Sequence, residues 1–473
     1  MEFSKTLTVT PVEQIPGMLV VDLPVHGDNR GWFKENWQRE KMLALGLPDF
    51  GPVQNNISYN LTAGTTRGIH AEPWDKFISV ATGEIFGAWV DLREGPSFGS
   101  VFTTRLDASR AIYVPRGVGN AYQALEDRTA YVYLVNEHWS ADAQAQYTFL
   151  NLADATAAVP WPIPLDEVEL SEKDRNHPQL ADVVPFPAPR IAVLGAGGQL
   201  GTALRELLGD SAVHYRSTNA DLADPESLAA LPWETFSAVI NAGAYTAVDA
   251  AETAEGRERA WAVNARGPAA LAALCLRHRL PLVHVSTDYV FDGSKDGEYA
   301  ETDALSPLGV YGQSKAAGEL AIAANPRTYL LRTSWVIGEG KNFVLTMKTL
   351  AEKGVDPTVV SDQTGRLTFT EDLAAAAVHL LRSEAPFGTY HVSNGGEPMA
   401  WSDVARAVFE EVGADPGRVS GTTTAEYFRD KEAAPRPLNS RFDLSKLQAA
   451  GFTPRDQRHA LSAYLRSLES SPR

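Results

Sequence analysis

The chain has 473 residues, 44% hydrophobic and 21% charged, a globular composition that excludes disordered, collagen-like and disulfide-stapled proteins. Its 42 Lys and Arg against 59 Asp and Glu give a net charge of −17, which argues against nucleic acid and anionic membrane as partners but not against a phosphorylated small molecule. The single cysteine, Cys275, excludes an intrachain disulfide and a thiolate metal cage. The first residues show no basic segment followed by an apolar stretch, and no window approaches ~18 apolar residues. The expectation is a cytoplasmic protein without a membrane span.

In chain order, short β-rich runs come first, at 77–82, 86–90, 100–106, 111–114 and 130–135. Gly83, Gly87, Gly95, Pro96, Gly99, Pro115, Gly117 and Gly119 punctuate them, which predicts an all-β sandwich or barrel. Pro185, Pro187 and Pro189 then make 183–189 a stiff, extended linker. Beyond it, strands predicted at 190–194, 212–215, 238–241 and 282–285 alternate with helices at 199–208, 258–277 and 316–324. That alternation predicts a parallel sheet with crossover helices. The domains are therefore placed at 1–182 and 190–473.

The strand at 190–194 runs into Gly195, Gly198 and Gly201, a spacing that permits a tight turn and close approach of backbone N–H groups to a pyrophosphate at a helix N-terminus. Farther on, Tyr311 and Lys315 are four residues apart and share a helix face. A nearby ammonium lowers a phenol's pKa and makes Tyr311 a proton donor to a carbonyl oxygen receiving hydride. Arg216, after the second strand, is a candidate partner for a 2′-phosphate and equally an exposed loop arginine.

These elements, with Asn241-Ala-Gly-Ala-Tyr-Thr-Ala-Val-Asp249, Ser286-Thr-Asp-Tyr-Val-Phe-Asp-Gly293, Arg332-Thr-Ser-Trp-Val-Ile-Gly338, Asp362-Gln-Thr-Gly365 and Arg436-Pro-Leu-Asn-Ser440, resemble the extended short-chain dehydrogenase/reductases. Within them the match is to dTDP-4-dehydrorhamnose reductases. The resemblance implies Thr287, Tyr311 and Lys315 as the catalytic set. Gly195, Gly198, Gln199, Leu200, Gly201, Asp221, Leu222, Ala242, Gly243, Ala244 and Tyr245 would bind NADPH or NADH together with Tyr311 and Lys315. Trp335 and Arg436 would lie near the sugar and its diphosphate, Arg436 having the alternative of a solvated charge. Some related reductases use Mg²⁺ at a subunit contact, and no carboxylates here are assigned to it. The family's Ser-Pro-Thr is replaced by Arg366-Leu367-Thr368, read as an altered loop.

In the first half, Arg30-Gly-Trp-Phe-Lys-Glu35, Gln54-Asn-Asn-Ile-Ser58, Arg67-Gly-Ile-His70, Val90-Asp-Leu-Arg93, Tyr131-Val-Tyr133 and Leu170-Ser-Glu-Lys-Asp174 resemble the dTDP-4-dehydrorhamnose 3,5-epimerases. The resemblance implies His70 as base, Asp174 as its orienting partner, Tyr133 as acid and Lys76 as the group stabilising an enolate. Tyr131 competes weakly with Tyr133 and is read as facing the other side of the strand. Arg30, Phe33, Glu35, Gln54, Asn56 and Arg67 would line the nucleotide site. The metal-binding cupin pattern needs more ligands than His70, Glu72 and Asn120 provide, so no metal and no cofactor are expected there. Asn120 stands where the family has histidine and Glu72 where it has glutamine; if that histidine assists one centre, the domain inverts one carbon instead of two, or works slowly.

The fold implied is a cupin-like jelly-roll barrel followed by a Rossmann-type doubly wound sheet with a smaller C-terminal substrate subdomain. The function implied is epimerisation and then reduction of a dTDP-4-ketosugar, with a homodimer formed through the barrel. Two alternatives remain: a single-centre epimerase and reductase for another dTDP-deoxysugar, or a non-catalytic nucleotide-binding regulatory protein.

Overall fold

The computed structural model describes residues 3, 5–141, 143–383 and 385–470. The chain forms two compact units, 1–188 and 189–473.

The first unit is built on two antiparallel sheets. The six-stranded one runs Thr8–Pro11, Leu19–Asp22, Arg110–Val114, Lys76–Thr82, Thr129–Val135, Gln54–Asn60. The five-stranded one runs Thr148–Phe149, Thr66–Ala71, Val118–Ala124, Ile85–Asp91, Val101–Leu106. Successive strand side chains alternate faces. Ile78, Val80 and Ile112 of one sheet therefore meet Trp89, Val118 and Tyr122 of the other in one core. Phe77 and Tyr113, on the opposite face, pack on Met42, Leu47 and Phe50. Ile69 and Val90 pack under Leu150 and Leu180.

The predicted strands fall within a residue of the observed ones, because turn residues bound each run. The proline stretch is partly claimed by this unit: Val183 is buried, and Phe186 exchanges backbone hydrogen bonds with Leu92 and Glu94.

The second unit holds a six-stranded parallel sheet, ordered Ala212–Tyr215, Arg190–Leu194, Phe236–Asn241, Leu282–Thr287, Thr328–Thr333, Gly388–Val392. Neighbouring residues of one strand face different cores. Val193 packs with Leu204 and Leu373, whereas Ala192 and Leu194 pack with Leu228 and Leu271. Helices therefore cover both faces, as an all-parallel sheet requires. The strand order reverses beside Arg190–Leu194, opening a crevice at the C-terminal ends of the strands. A third core, including Val344, Phe369, Val404 and Leu461, gathers elements of the C-terminal region.

Two helices depart from expectation. The one predicted at 258–277 starts at Ala254, capped by the Thr253 side chain, and is interrupted by a π turn at Ala262–Arg266 before resuming as Gly267–Arg277. The one predicted at 316–324 spans Val310–Ile322. Glu252 accepts the Val310 N–H at 2.8 Å, a tertiary cap that local propensity does not reveal.

Candidate active sites

In the first unit, Asp174 lies on the short helix Glu172–Arg175, whose N-cap Ser171 accepts the Asp174 N–H at 3.1 Å. His70 Nε2 meets Asp174 Oδ1 at 2.8 Å. Burial by itself would raise the Asp174 pKa, but the hydrogen bond and charge of His70 hold it below the ordinary carboxylate range. An ionised carboxylate there accepts the Nε2 proton and leaves Nδ1 of His70 with a free lone pair.

Lys76 Nζ sits 2.7 Å from Glu72 and 5.5 Å from the Tyr133 ring centre. Burial, followed by the Glu72 charge, pushes the Tyr133 hydroxyl up to about 12, so it stays protonated. Tyr131 does not face away from Tyr133. Two residues apart on a strand, they share a face, with ring centres 5.6 Å apart. Burial separates them instead: Tyr131 is enclosed, stacks on Tyr122 at 4.2 Å and gives its hydrogen bond to Asn120 at 3.0 Å. Asn120 pairs in register with His70, so the residue at the substituted position already has a partner.

Gln54 donates to Asn56 at 2.8 Å, and Asn56 is the strand partner of Tyr133. Arg67, on the His70 strand, contributes charge at Tyr133. Arg30, Phe33 and Glu35 are not brought into this group. Arg30 and Phe33 belong to the hairpin Val25–Asp28/Gly31–Lys34, where Arg30 pairs with Asp28 and Phe33 is 66% exposed, while Glu35, just after it, pairs with Lys41.

In the second unit, a cavity of about 880 Å³ lies at the C-terminal ends of the strands. It is lined by Gly195, Gly198, Gln199, Leu200, Asp221, Leu222, Ala242, Gly243, Ala244, Tyr245, Thr287, Tyr311, Lys315 and Trp335. Gly201 lies behind this lining and sets the helix onto the turn: a Cβ there would be 2.3 Å from the Gly195 carbonyl. Gly195 has φ +78°, and a Cβ would be 2.4 Å from Gly243 N, so two loops meet where only glycine fits. Asp221 carries an ion pair with Arg259 at 3.1 Å.

Lys315 is buried and donates to the Val285 carbonyl at 2.6 Å. Burial brings its pKa down to about 8, against the pull of Glu319. Burial likewise pushes the Tyr311 hydroxyl up to about 12, offset by its hydrogen bond with Thr287. Asp288 bonds the Thr287 hydroxyl at 2.9 Å and the Ser440 hydroxyl at 2.5 Å, and burial raises its pKa.

A second cavity, of about 510 Å³, shares Asp288, Tyr289 and Trp335 with the first and extends to Tyr427, Phe428, Arg436 and Ser440. Trp335 is held at φ +48° with its indole stacked on Trp401 at 3.8 Å. Left-handed backbone at a bulky residue is strained and is retained where the surroundings over-determine it. Arg436 is not a solvated charge: one guanidinium nitrogen donates to both Asp249 carboxylate oxygens, each at 2.9 Å, and the guanidinium lies 4.5 Å from the Phe428 ring. Arg366, in the altered loop, is pinned by the Gly396 and Phe442 carbonyls and by Glu298.

Comparison with known proteins gives each half a family. Residues 189–470 match the family described as RmlD substrate binding domain, and residues 12–182 match dTDP-4-dehydrorhamnose 3,5-epimerase. The chain belongs to both families. The protein RmlC homolog of Streptococcus pyogenes is 50% identical over 189 residues, 39% of this chain and 95% of the relative. A dTDP-4-dehydrorhamnose reductase of Aggregatibacter actinomycetemcomitans is 40% identical over 292 residues, 58% of this chain and 97% of the relative. The crystal structure of a Bacillus anthracis dTDP-4-dehydrorhamnose reductase, in complex with NADP, aligns with TM-score 0.55 and 31% identity over 59% of this chain and 99% of that one. Both resemblances read from the motifs are borne out.

The motifs of the reductase family did not single out Asn264. It sits in the π turn and bonds the Tyr245 backbone through both its oxygen (2.8 Å) and its nitrogen (3.0 Å). Its nitrogen also reaches Ser314 Oγ at 3.1 Å, on the helix that carries Tyr311 and Lys315. One amide thereby ties the Tyr245 loop to the helix that carries Tyr311 and Lys315. An asparagine inside an alanine-rich helix was the signal available, since such a residue favours caps and turns.

Proposed function

We propose that the chain is a bifunctional enzyme that completes dTDP-L-rhamnose formation. The first unit, a cupin-like barrel, converts dTDP-4-dehydro-6-deoxy-D-glucose to dTDP-4-dehydro-L-rhamnose. The second, a doubly wound Rossmann-type unit with a smaller substrate subdomain, reduces the 4-keto group with NAD(P)H. Residues 183–189 connect them. What carries the reading is the Asp174-held imidazole in one unit together with the buried Thr287–Tyr311–Lys315 group beside a dinucleotide-sized cavity in the other.

In the epimerase unit the 4-ketone acidifies the protons on C3 and C5. Nδ1 of His70 removes one, and Asp174 stabilises the resulting imidazolium. Lys76 offsets the enolate charge, and the protonated Tyr133 hydroxyl returns a proton from the opposite face. In the reductase unit NAD(P)H, when bound, supplies hydride. Thr287 holds the ketone oxygen, Tyr311 protonates it, and the Lys315 ammonium favours the phenolate left behind. The Gly195–Gly243 contact and the helix beginning at Gln199 present the backbone to a pyrophosphate. Arg436 and the aromatic rings of the second cavity take the dTDP end.

Arg216, Ser217 and Thr218 line the cofactor cavity beyond Asp221, and Arg216 packs over Gly197. We assign Arg216 to a 2′-phosphate, favouring NADPH. Arg216→Ala should raise KM for NADPH about 10-fold, as loss of one charge-assisted contact of ~1.5 kcal/mol, and leave KM for NADH unchanged.

The Gln54–Asn60 strand lies at a sheet edge and shows Val53, Ile57, Tyr59 and Leu61 on one exposed face. A homodimer through the barrel covers such an edge. Light scattering should give about twice 51.3 kDa, and Ile57→Glu with Leu61→Glu should halve it. No helix among the described residues is long and apolar enough to cross a membrane, and we place the reaction in the cytoplasm.

The joint test is incubation with dTDP-4-dehydro-6-deoxy-D-glucose and NADPH in D₂O. dTDP-L-rhamnose labelled at C3 and C5 is the expected product. Label at C5 alone would mean that Asn120, bound to Tyr131, restricts inversion to one carbon; no NADPH loss would defeat the reading.

A further inference from the structure

The His70–Asp174 pair has a third neighbour that base chemistry leaves unused. His177 follows the short helix carrying Asp174, and its Nε2 lies 3.9 Å from the same Asp174 Oδ1 that His70 Nε2 meets at 2.8 Å. The imidazoles stand edge to face with centres 5.3 Å apart. Phe149 positions both, stacked on His177 at 4.7 Å and edge-on to His70 at 5.5 Å. One ligand atom from each of the three residues lies within 4.8 Å of the others.

Two imidazoles and a carboxylate with one position open form the ligand set of a tetrahedral zinc site, with metal–ligand distances of about 2.0–2.2 Å. Ligand atoms around such an ion stand roughly 3.4 Å apart, so the 2.8 Å contact must open by ~0.6 Å, the 3.9 Å one close by ~0.5 Å and the widest pair, within 4.8 Å, close by up to ~1.4 Å. We propose that His70, Asp174 and His177 form a binding site for a divalent ion of the Zn²⁺ class, and that the bound ion shuts off epimerisation. The reason is the tautomer. With Nε2 donating to Asp174, Nδ1 of His70 holds the lone pair that accepts a substrate proton. An ion on Nε2 takes that nitrogen's lone pair and moves the ring proton to Nδ1, leaving no lone pair to act as base. This site differs from the cupin ligand positions, since it uses Asp174 and His177 and neither Glu72 nor Asn120.

The inhibition rests on the proposed epimerase reading, whereas the metal site does not, so the test reads binding and turnover separately. Untagged full-length protein is titrated with Co²⁺, followed by its visible absorption, and with Zn²⁺, followed by calorimetry and by solvent-deuterium incorporation into the ketosugar. One ion per chain should bind with a tetrahedral Co²⁺ spectrum. Zn²⁺ should stop incorporation, and a chelator should restore it. His177→Gln and His177→Phe, the latter keeping the ring against Phe149, should raise the half-saturating and half-inhibiting Zn²⁺ concentrations about 100-fold or more. Values equal to wild type in both variants would overturn the proposal. His177-dependent binding in a protein that exchanges no deuterium would uphold the site and defeat the epimerase reading.

Discussion

Replacing His70 by alanine should lower solvent-deuterium incorporation at C3 and C5 by about 10²–10⁴-fold, the range for loss of a positioned general base. NADPH oxidation should continue when the chain is given dTDP-4-dehydro-L-rhamnose, because the proposed reduction uses Thr287, Tyr311 and Lys315 of the other unit. The same variant should also leave Asp174 without the bond that lowers its pKa, so that burial dominates and the carboxyl titrates higher. Asp174→Asn probes the other half of the pair. The amide still fits but carries no charge, so the imidazolium loses its counter-ion and the rate should fall less than in His70→Ala. Incorporation that survives in His70→Ala would remove the imidazole from the mechanism.

Tyr311→Phe should have an equal effect on the second activity. Removing one hydroxyl deletes the proton donor to the 4-keto oxygen, and a loss of kcat by about 10²–10⁴-fold is expected with KM for NADPH little changed. Its pH dependence follows from Lys315. With its pKa brought down to about 8 by burial, the ammonium is present below that pH and lost above it. The phenol, pushed up to about 12, stays protonated throughout the working range. Wild-type reduction should therefore decline as pH rises through about 8. Lys315→Arg keeps a charge across that range, so its rate, though lowered by the changed geometry, should lose the alkaline decline. A decline at the same pH in both proteins would assign it to another group.

The motifs made much of both sites legible. The glycine turn and the Tyr311–Lys315 spacing are local features: a turn that excludes side chains and a helix that repeats every 3.6 residues write themselves into adjacent positions. The strands of the first unit were readable for the same reason. What escaped is set by contacts distant in sequence. The helix beginning at Val310 owes its first turn to Glu252, 58 residues earlier. His177 enters the His70 site from a segment over 100 residues downstream of that strand. Tyr131 and Tyr133 lie two apart, so strand alternation puts them on one face, contrary to the expectation above; the enclosure of Tyr131 by Tyr122 and Asn120 is not legible in the sequence. Arg30, Phe33 and Glu35 match their family's pattern, yet Arg30 pairs with Asp28, Glu35 with Lys41, and Phe33 is exposed.

The five residues Ala262–Arg266 carry a mechanical consequence. Each residue of a regular helix advances about 100° around the axis, and a wide turn absorbs one extra residue without passing that rotation on. Deleting one position there would let the backbone relax into a regular ladder with everything downstream still in phase, so Leu271, Ala272 and Cys275 would stay on the sheet. What would be lost is the wide turn itself, and with it the placement of Asn264 against Tyr245 and Ser314. A codon lost from the regular turns that follow has no such slack and would rotate the residues beyond it by roughly 100°.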